Sequence, residues 1–497
     1  MNLSFPYLST IVFLPVLGLI IIALWPKPQQ KTVKLTALIF TLASFVLSIA
    51  VFYFFDRSNG SIGQIQFEEK ISWIPAINAF YHVGVDGLSL PLVILMTFLG
   101  VLAVLVSWNV QLRPKEYFIW LLLLETSILG VFTSLDLVLF FLFWELELIP
   151  MYFLISVWGS GRKEYSAIKY VIYTLVGSAL MLAGILAIYF TTGSLNMMEL
   201  TGMSAAKAVI PLAAMFFLLF TGFAIKLPVF PLHTWLPDAH TDAPTAASVI
   251  LAGALLKMGG YGMIRLCVSI FPQVALQYAP LLVILAVISV LYGAAVTLRQ
   301  KDLKRLIAYS SVSHMGYVLL GVFALSQISL TGAVLQMFSH GIITGLLFAM
   351  VGLVYDKSHE RNLDNLGGLA RQMPVIVVVF SIAGLASLGL PGTSGFAAEF
   401  ITFVGSYSSQ AVNWIQLYTI LGVFGIVLTA GYILWMLQRV FYGPPLDKFS
   451  KVPDANNVDK ICIFSFVAAI ILVGIYPAIL TNVIKMGVEP IARLVGF

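Results

Sequence analysis

The chain has 497 residues, 60% hydrophobic and 13% aromatic, with 27 Lys+Arg and 22 Asp+Glu. Soluble globular proteins carry about 25% charged residues; at 10% there are too few charges to coat a water-facing surface, which excludes a soluble enzyme, a disordered scaffold and a nucleic-acid binder. The net charge of +5 is therefore expected in loops beside a membrane. Two cysteines, Cys267 and Cys462, lie in apolar stretches and encode neither a disulfide framework nor a metal cluster.

A bilayer core takes roughly 20 mostly apolar residues per helix. Windows of that length predict an all-α integral membrane protein with fourteen spans, near 3–24, 33–55, 84–107, 117–134, 137–157, 166–190, 208–231, 244–270, 279–298, 305–325, 329–354, 373–403, 417–442 and 460–484. The first window lacks a basic start and a small-residue cleavage site, so it reads as a retained span and not a signal peptide. Between spans, the longest stretches are 56–83 and 443–459, too short for a soluble domain. Residues 1–497 are thus expected to form one membrane domain: spans 1–3 in 1–116, five spans in 117–270, five in 279–442, and the last span and tail in 460–497.

Orientation follows from Lys and Arg. Loops after odd-numbered spans hold Lys27, Lys31, Lys34, Arg113, Lys115, Arg162, Lys163, Arg299, Lys301, Lys304 and Arg305, with further cations at Lys357, Arg361, Arg371, Arg439, Lys448, Lys451 and Lys460. The even loops hold Arg57, Lys70 and Lys207. The odd loops are expected on the cytoplasmic side, and both termini on the other.

Glu125, Glu145, Glu147, Lys226, Lys257, Arg265 and Glu399 fall inside predicted spans. A charge at mid-membrane costs about 3 kcal/mol on insertion scales, so such residues face a protein interior or water and mark ion pathways. The bland reading is a set of static interhelical ion pairs, which loses ground as charges of both signs accumulate along the chain. Glu145 and Glu147 are two residues apart, about 200° around a helix, and cannot share a face. Lys226 stands before Leu227-Pro228-Val229-Phe230-Pro231, where two prolines break the helix. Interrupted helices expose backbone dipoles to ions at mid-membrane depth. Lys257 is followed by Met258-Gly259-Gly260, glycines that admit a neighbouring helix; Arg265, nearer a span end, is expected to snorkel. Glu399 follows a second break, Gly389-Leu390-Pro391-Gly392. Two broken helices five spans apart, each with one buried charge, suggest two inverted repeats, spans 4–8 and 9–13.

Histidine titrates near neutrality and can relay protons. His314 and His340 fall inside spans beside hydroxyls; His233 and His240 fall with Asp238 and Asp242 in a span-flanking loop, without the spacing of a metal site. His82 and His359 read as loop residues, and no phosphate loop, dinucleotide fingerprint or nucleophile elbow is present.

Trp144-Glu145-Leu146-Glu147-Leu148-Ile149-Pro150-Met151-Tyr152, Lys226-Leu227-Pro228, the run Pro231 to His240 and Lys304-Arg305-Leu306-Ile307-Ala308-Tyr309-Ser310-Ser311 together resemble signatures of the antiporter-like subunits of respiratory complex I. The resemblance covers nearly the whole chain. Glu399 on the second broken helix is similar to the M-type (chain 4) branch, whereas other branches and Mrp antiporters usually carry lysine there; the Glu-Leu-Glu run is similar to cyanobacterial and chloroplast forms, whose complexes oxidise ferredoxin and reduce plastoquinone. The resemblance implies a proton-translocating module with Glu145 paired to Lys226, Lys257 as the central lysine, His314 and His340 as relays and Glu399 as the terminal site. Glu125 and Glu147 are secondary candidates that depart from the family pattern. It also implies no redox cofactor in this chain: quinone, NAD(P)H or ferredoxin and iron–sulfur clusters would belong to other subunits of the membrane assembly, with no nucleic-acid partner. The membrane would be a bacterial plasma membrane or a thylakoid. A Mrp-type cation/proton antiporter or a membrane-bound hydrogenase subunit is the alternative, and a passive packing role in the membrane arm is a third reading.

Overall fold

Apolar runs form the opening helices, α1 (Tyr7–Leu24), which carries Pro15 inside it, and α2 (Gln30–Phe54). The computed structural model describes residues 5–26, 29–203 and 208–496, so Lys27 and Lys207 lie outside the described residues. The stretch 56–83 between predicted spans forms, with the first two residues of the predicted third span, an antiparallel hairpin of β1 (Gln66–Ile74) and β2 (Ala79–Val85), with Lys70 opposite His82. The short run is rich in strand-forming residues, and a span-length window cannot register it. His82 is therefore a buried strand residue, its Nε2 2.7 Å from Glu68 Oε1, and not a loop residue.

The chain continues through α3 (Leu90–Val106), α4 (Pro114–Thr133), α5 (Leu137–Leu146), α6 (Leu148–Trp158) and α7 (Lys163–Thr192). Helices α5 and α6 form one span with a turn at Glu147. The predicted span 208–231 stops early: α8 (Leu212–Lys226) ends at Lys226, and the chain turns before α9 (Trp235–Asp242). Pro228 has no N–H to give the Ala224 carbonyl, which accepts from Val229 instead, and the Ile225 carbonyl accepts the Trp235 indole N–H at 2.9 Å. The stretch expected as a loop around Asp238 and His240 is thus a buried helix.

The next span combines α10 (Thr245–Ile250), a π-helical turn at Leu251–Leu255, α11 (Leu256–Gly262) and a second π-helical turn at Met263–Val268. Then follow α12 (Pro272–Thr297), α13 (Leu303–Phe323) and α14 (Gln327–Ser358). The expected span 373–403 is two helices, α15 (Pro374–Ser387) and α16 (Ser394–Tyr407), separated at the glycine–proline break. After α17 (Ile415–Phe441), α18 (Asn457–Ile475) ends nine residues before the predicted 484, and a distinct helix, α19 (Ala478–Leu494), starts after Pro477.

Among the described residues, eleven helical stretches are long and apolar enough to cross a membrane; Leu90–Val106, Leu212–Lys226 and Pro374–Ser387 are shorter apolar helices. Burial sorts them. The span containing α10 and α11 is wholly buried and α13 and α14 nearly so, whereas only about a third of α1, α2 and α18 is buried. Lys257, His314 and His340 therefore sit on the innermost helices.

One local pattern occurs twice. Asp136 caps the start of α5, accepting from Val138 and Leu139 N–H, while Leu137 N–H bonds to Leu195 O and Met197 N–H to Leu135 O. Asp302 caps α13 by accepting from Arg305 N–H, while Leu303 N–H bonds to Arg361 O and Leu363 N–H to Lys301 O. Asp136 bridges Asn196 as Asp302 bridges Asn362. Each residue of the second clasp stands 166 positions after its counterpart, as Asp302 does after Asp136.

Candidate functional site

The first cluster forms where α8 breaks. Lys226, at the C-terminal end of α8, is buried, and its Nζ donates to Glu147 Oε1. The Tyr170 hydroxyl donates to Glu147 Oε2 and accepts from Lys226 Nζ at 3.2 Å. Trp144 and Tyr170 offer their rings to the ammonium at 5.6 and 5.2 Å. The expected Glu145–Lys226 pair is thus corrected to Glu147–Lys226. Separation around the helix told the two carboxylates apart without saying which faces inward; the turn at Glu147 aims this one at α7 and α8. Glu145 is half-buried and lines an outward apolar groove with Leu148, Tyr152, Phe153 and Leu175, its Oε1 without a hydrogen-bond partner among the described residues.

The second cluster surrounds Lys257. Gly259 lets α11 press against the end of α8: a Cβ there would lie 2.7 Å from Leu227 N and from Phe223 O. Lys257, fully buried between the two π-helical turns, donates from Nζ to the Ala252 carbonyl and meets His340 Nδ1 at 2.8 Å. Turns of this kind loosen the i→i−4 ladder and frequently occur at functional sites.

The third cluster joins α13, α14 and the second break. The His340 and His314 rings lie 5.7 Å apart, His314 Nδ1 is 3.3 Å from Glu399 Oε1, and His314 Nε2 is 3.3 Å from Ser387 Oγ at the end of α15. His314, His340, Gln336, Ser339, Ser387 and Glu399 face one small cavity. Gly389 is required at the break: its φ is +79°, and a Cβ would meet Glu399 Oε2 at 2.8 Å. That oxygen has no hydrogen-bond partner among the described residues, and Glu399 also borders an apolar groove of ≈ 670 Å³ between α16 and α17.

The structure therefore brings Lys257, His340, His314 and Glu399 into one row, with Glu147 and Lys226 at the neighbouring helix break. Glu125 stands apart, buried in α4 against Gly100 of α3, its Oε1 without a partner. Arg265 does not snorkel: its guanidinium is buried and bonds to Asp86 Oδ2 at 2.6 Å, ahead of α3. Sequence reading missed Asp86, and also Tyr170; a tyrosine in an apolar helix gives no signal until its partners are placed. His233 packs between the Phe230 and Tyr292 rings, and no three His, Cys, Asp or Glu among the described residues are grouped to hold a metal ion.

A lysine paired to a carboxylate can hold or yield its proton as the partner approaches or withdraws, and imidazoles between such groups can pass protons on. Residues 134–429 match the family described as NADH:quinone oxidoreductase/Mrp antiporter, TM. The chain is 41% identical to NAD(P)H-quinone oxidoreductase chain 4 1 of Synechococcus elongatus, covering 99% of this chain and 92% of that protein. It is 40% identical to NADH-quinone oxidoreductase subunit M of Rhodobacter capsulatus, covering 98% and 96%. A chain of respiratory complex I from Thermus thermophilus superposes with a TM-score of 0.87 at 28% identity, over 99% of this chain and 100% of that one. A chain of the Mrp complex from Dietzia sp. shares the fold, with a TM-score of 0.85 at 20% identity, over 100% of each. With a buried ionisable row, a family match across most of the chain and relatives aligned nearly end to end, this chain belongs to the NADH:quinone oxidoreductase/Mrp antiporter membrane-subunit family.

Proposed function

We propose that this chain is the M-type, antiporter-like subunit of a complex I-type NAD(P)H–quinone oxidoreductase and moves protons while electron transfer proceeds in partner subunits. The observation that carries the reading is the buried row from Lys257 through His340 and His314 to Glu399, a base and an acid joined by two imidazoles where a bilayer tolerates isolated charge poorly. Residues 117–270 and 279–442 act as inverted repeats in one membrane domain, each presenting one broken helix. Lys226 with Glu147 forms the switch of the first repeat, Lys257 the link, and Glu399 the terminal group of the second. Glu145 and Glu125 remain accessory. The chain holds no redox group; quinone, NAD(P)H or ferredoxin and iron–sulfur clusters sit in companion subunits of the membrane assembly. Its membrane is a bacterial plasma membrane or a thylakoid, with both termini away from the Lys/Arg-rich face. Full-length identity near 40% to quinone oxidoreductase subunits favours this reading over a Mrp antiporter, for which the likeness is at the level of fold.

The test is proton uptake per quinone reduced by the purified complex in sealed vesicles, at matched electron flux. Lys257→Met and Glu399→Gln are expected to lower the ratio with the complex still assembled. An unchanged ratio in both variants, or a transport that requires Na⁺, would defeat the reading.

A further inference from the structure

Three of the four imidazole nitrogens in the row have partners. His314 Nδ1 lies 3.3 Å from Glu399 Oε1, and His314 Nε2 lies 3.3 Å from Ser387 Oγ. His340 Nδ1 meets Lys257 Nζ at 2.8 Å, while His340 Nε2 is buried without a hydrogen-bond partner among the described residues. An ammonium cannot accept a hydrogen bond, so Nδ1 accepts from Lys257, and the neutral ring's own proton is placed on Nε2. The row thus contains a buried N–H donor in need of an acceptor, because nearly all such groups in proteins are bonded.

One turn before His340 on α14, Gln336 carries an acceptor in need of a donor. Residues four apart share a helix face, and the Gln336 side-chain oxygen is also buried without a partner among the described residues. Gln336 stands between Leu335 and Met337, 2% exposed; an amide so placed is costly unless its polar atoms are used. Gln336 and His340 face the same cavity as His314 and Glu399, ≈ 10 Å³ in size, about what one water molecule requires. Two hydroxyls on its wall are already committed: Ser339 Oγ donates to Ser394 Oγ at 2.9 Å, and Ser387 Oγ stands against His314.

We infer that Gln336 is a positioning residue: it holds one water molecule between His340 Nε2 and the His314–Glu399 pair, and the proton crosses through that water. This rests on the proton-translocating reading above. The water accepts from Nε2–H, donates one hydrogen to the Gln336 oxygen and aims the other at the pair, about three hydrogen bonds, as is typical of buried water. In the hand-off a Lys257 Nζ–H bond breaks and an Nδ1–H bond forms on His340. The Nε2 proton goes to the water, and the hydrogen that the water aims at the pair goes to the pair. Lys257 is left as the amine, His340 neutral in its other tautomer, and the pair one proton richer; the ring resets when its proton returns to Nε2 through water or by ring rotation. The amide takes up no proton at any stage. It decides which way the water points.

The experiment uses the intact complex in sealed vesicles and reads the rate of proton uptake coupled to quinone reduction, per assembled complex, in H2O and in D2O. Gln336→Met keeps the length of the side chain without an acceptor oxygen; Gln336→Glu keeps both. Misplacing a reacting group by about 1 Å costs up to about 10²-fold, and Gln336→Met is expected to slow uptake by about 10-fold within that range, with Gln336→Glu retaining most of the rate. The ratio of rates in H2O and D2O is expected to rise in Gln336→Met, because the hand-off becomes the slow step, a change that lost packing does not produce. Uptake by Gln336→Met at the unaltered rate overturns the assignment. Equal slowing in both variants also overturns it, as does an unchanged isotope ratio in a slowed Gln336→Met. An unaltered complex that takes up no protons beyond those consumed in reducing quinone sinks the functional reading instead, which separates the two failures.

Discussion

Lys226 and Glu147 are both buried, 1% and 0% exposed at the side chain, and their mutual contact is the main compensation for the charge each carries. Glu147→Gln leaves an ammonium in the bundle without its counter-charge, with neutral acceptors only, the amide oxygen and the Tyr170 hydroxyl. Removing one partner of a buried pair costs about 3–5 kcal/mol, whereas replacing both with uncharged groups of similar volume is close to neutral. Lys226→Met alone leaves a carboxylate held by one hydroxyl, with a penalty of the same order. The double variant Glu147→Gln/Lys226→Met is therefore expected to be more stable than either single variant, with a coupling energy of about 3 kcal/mol, the upper end for residues in contact. This corresponds to about 10²-fold in the balance between intact and disrupted bundle. The assay is a heating series on detergent-extracted complex, scoring intact assembly for the four members of the cycle, beside proton uptake in vesicles. Translocation should be lost in all three variants, because none retains an exchanging pair. Additive destabilisation refutes the argument. So does a cycle in which Glu145→Gln couples to Lys226→Met and Glu147→Gln does not, since that would return the pairing to the half-buried carboxylate.

Lys257→Arg keeps a positive charge but not the ability to release a proton, so both Lys257→Arg and Lys257→Met are expected to assemble and fail to translocate in the vesicle assay; an active arginine variant would reduce this lysine to a fixed charge. Glu399→Gln should block uptake and Glu399→Asp retain part of it at matched electron flux, an undiminished ratio in the glutamine variant placing the exit elsewhere. Gly389→Ala combines an unfavourable φ of +79° with a Cβ 2.8 Å from Glu399 Oε2, and should lower the proton ratio by displacing that carboxylate; a ratio equal to that of the unaltered protein would show that the second oxygen has no part in exchange. Asp86→Asn strands the buried Arg265 guanidinium, costing about 3–5 kcal/mol, and should reduce assembled complex in the heating series while leaving the ratio per assembled complex unchanged.

Much of this architecture is legible in composition alone, because a bilayer makes long apolar runs obligatory and makes each interior charge conspicuous. The prolines after Lys226 and the glycine–proline run before Glu399 announce both broken helices, since each removes backbone donors or admits a positive φ. What escapes is rotation. Glu145 and Glu147 are equivalent to a reader of spacing, and only the turn at Glu147 with Tyr170 beyond it decides which one meets the lysine. Arg265 looked peripheral because its partner, Asp86, is 179 residues away in sequence. His240 gave the opposite error: its polar neighbours suggested a loop, but short helices packed inside a bundle carry such residues when their functions require it. The β1–β2 hairpin was invisible for a simpler reason, its nine and seven residues being far below a span-length window.

The clasp that occurs twice separates two kinds of information usually written together. Its two backbone bonds recur in both copies, yet positions 135, 138, 139 and 195 are Leu, Val, Leu and Leu, while 301, 304, 305 and 361 are Lys, Lys, Arg and Arg. Arg361 Nε does reach the capping carboxylate of Asp302, at 2.6 Å, but none of these side chains enters the two backbone bonds, which close with or without charge. Cations bear on a different property, since Lys and Arg close to span ends set which way a helix enters the bilayer. How a half folds and which way it enters the bilayer are thus independently editable.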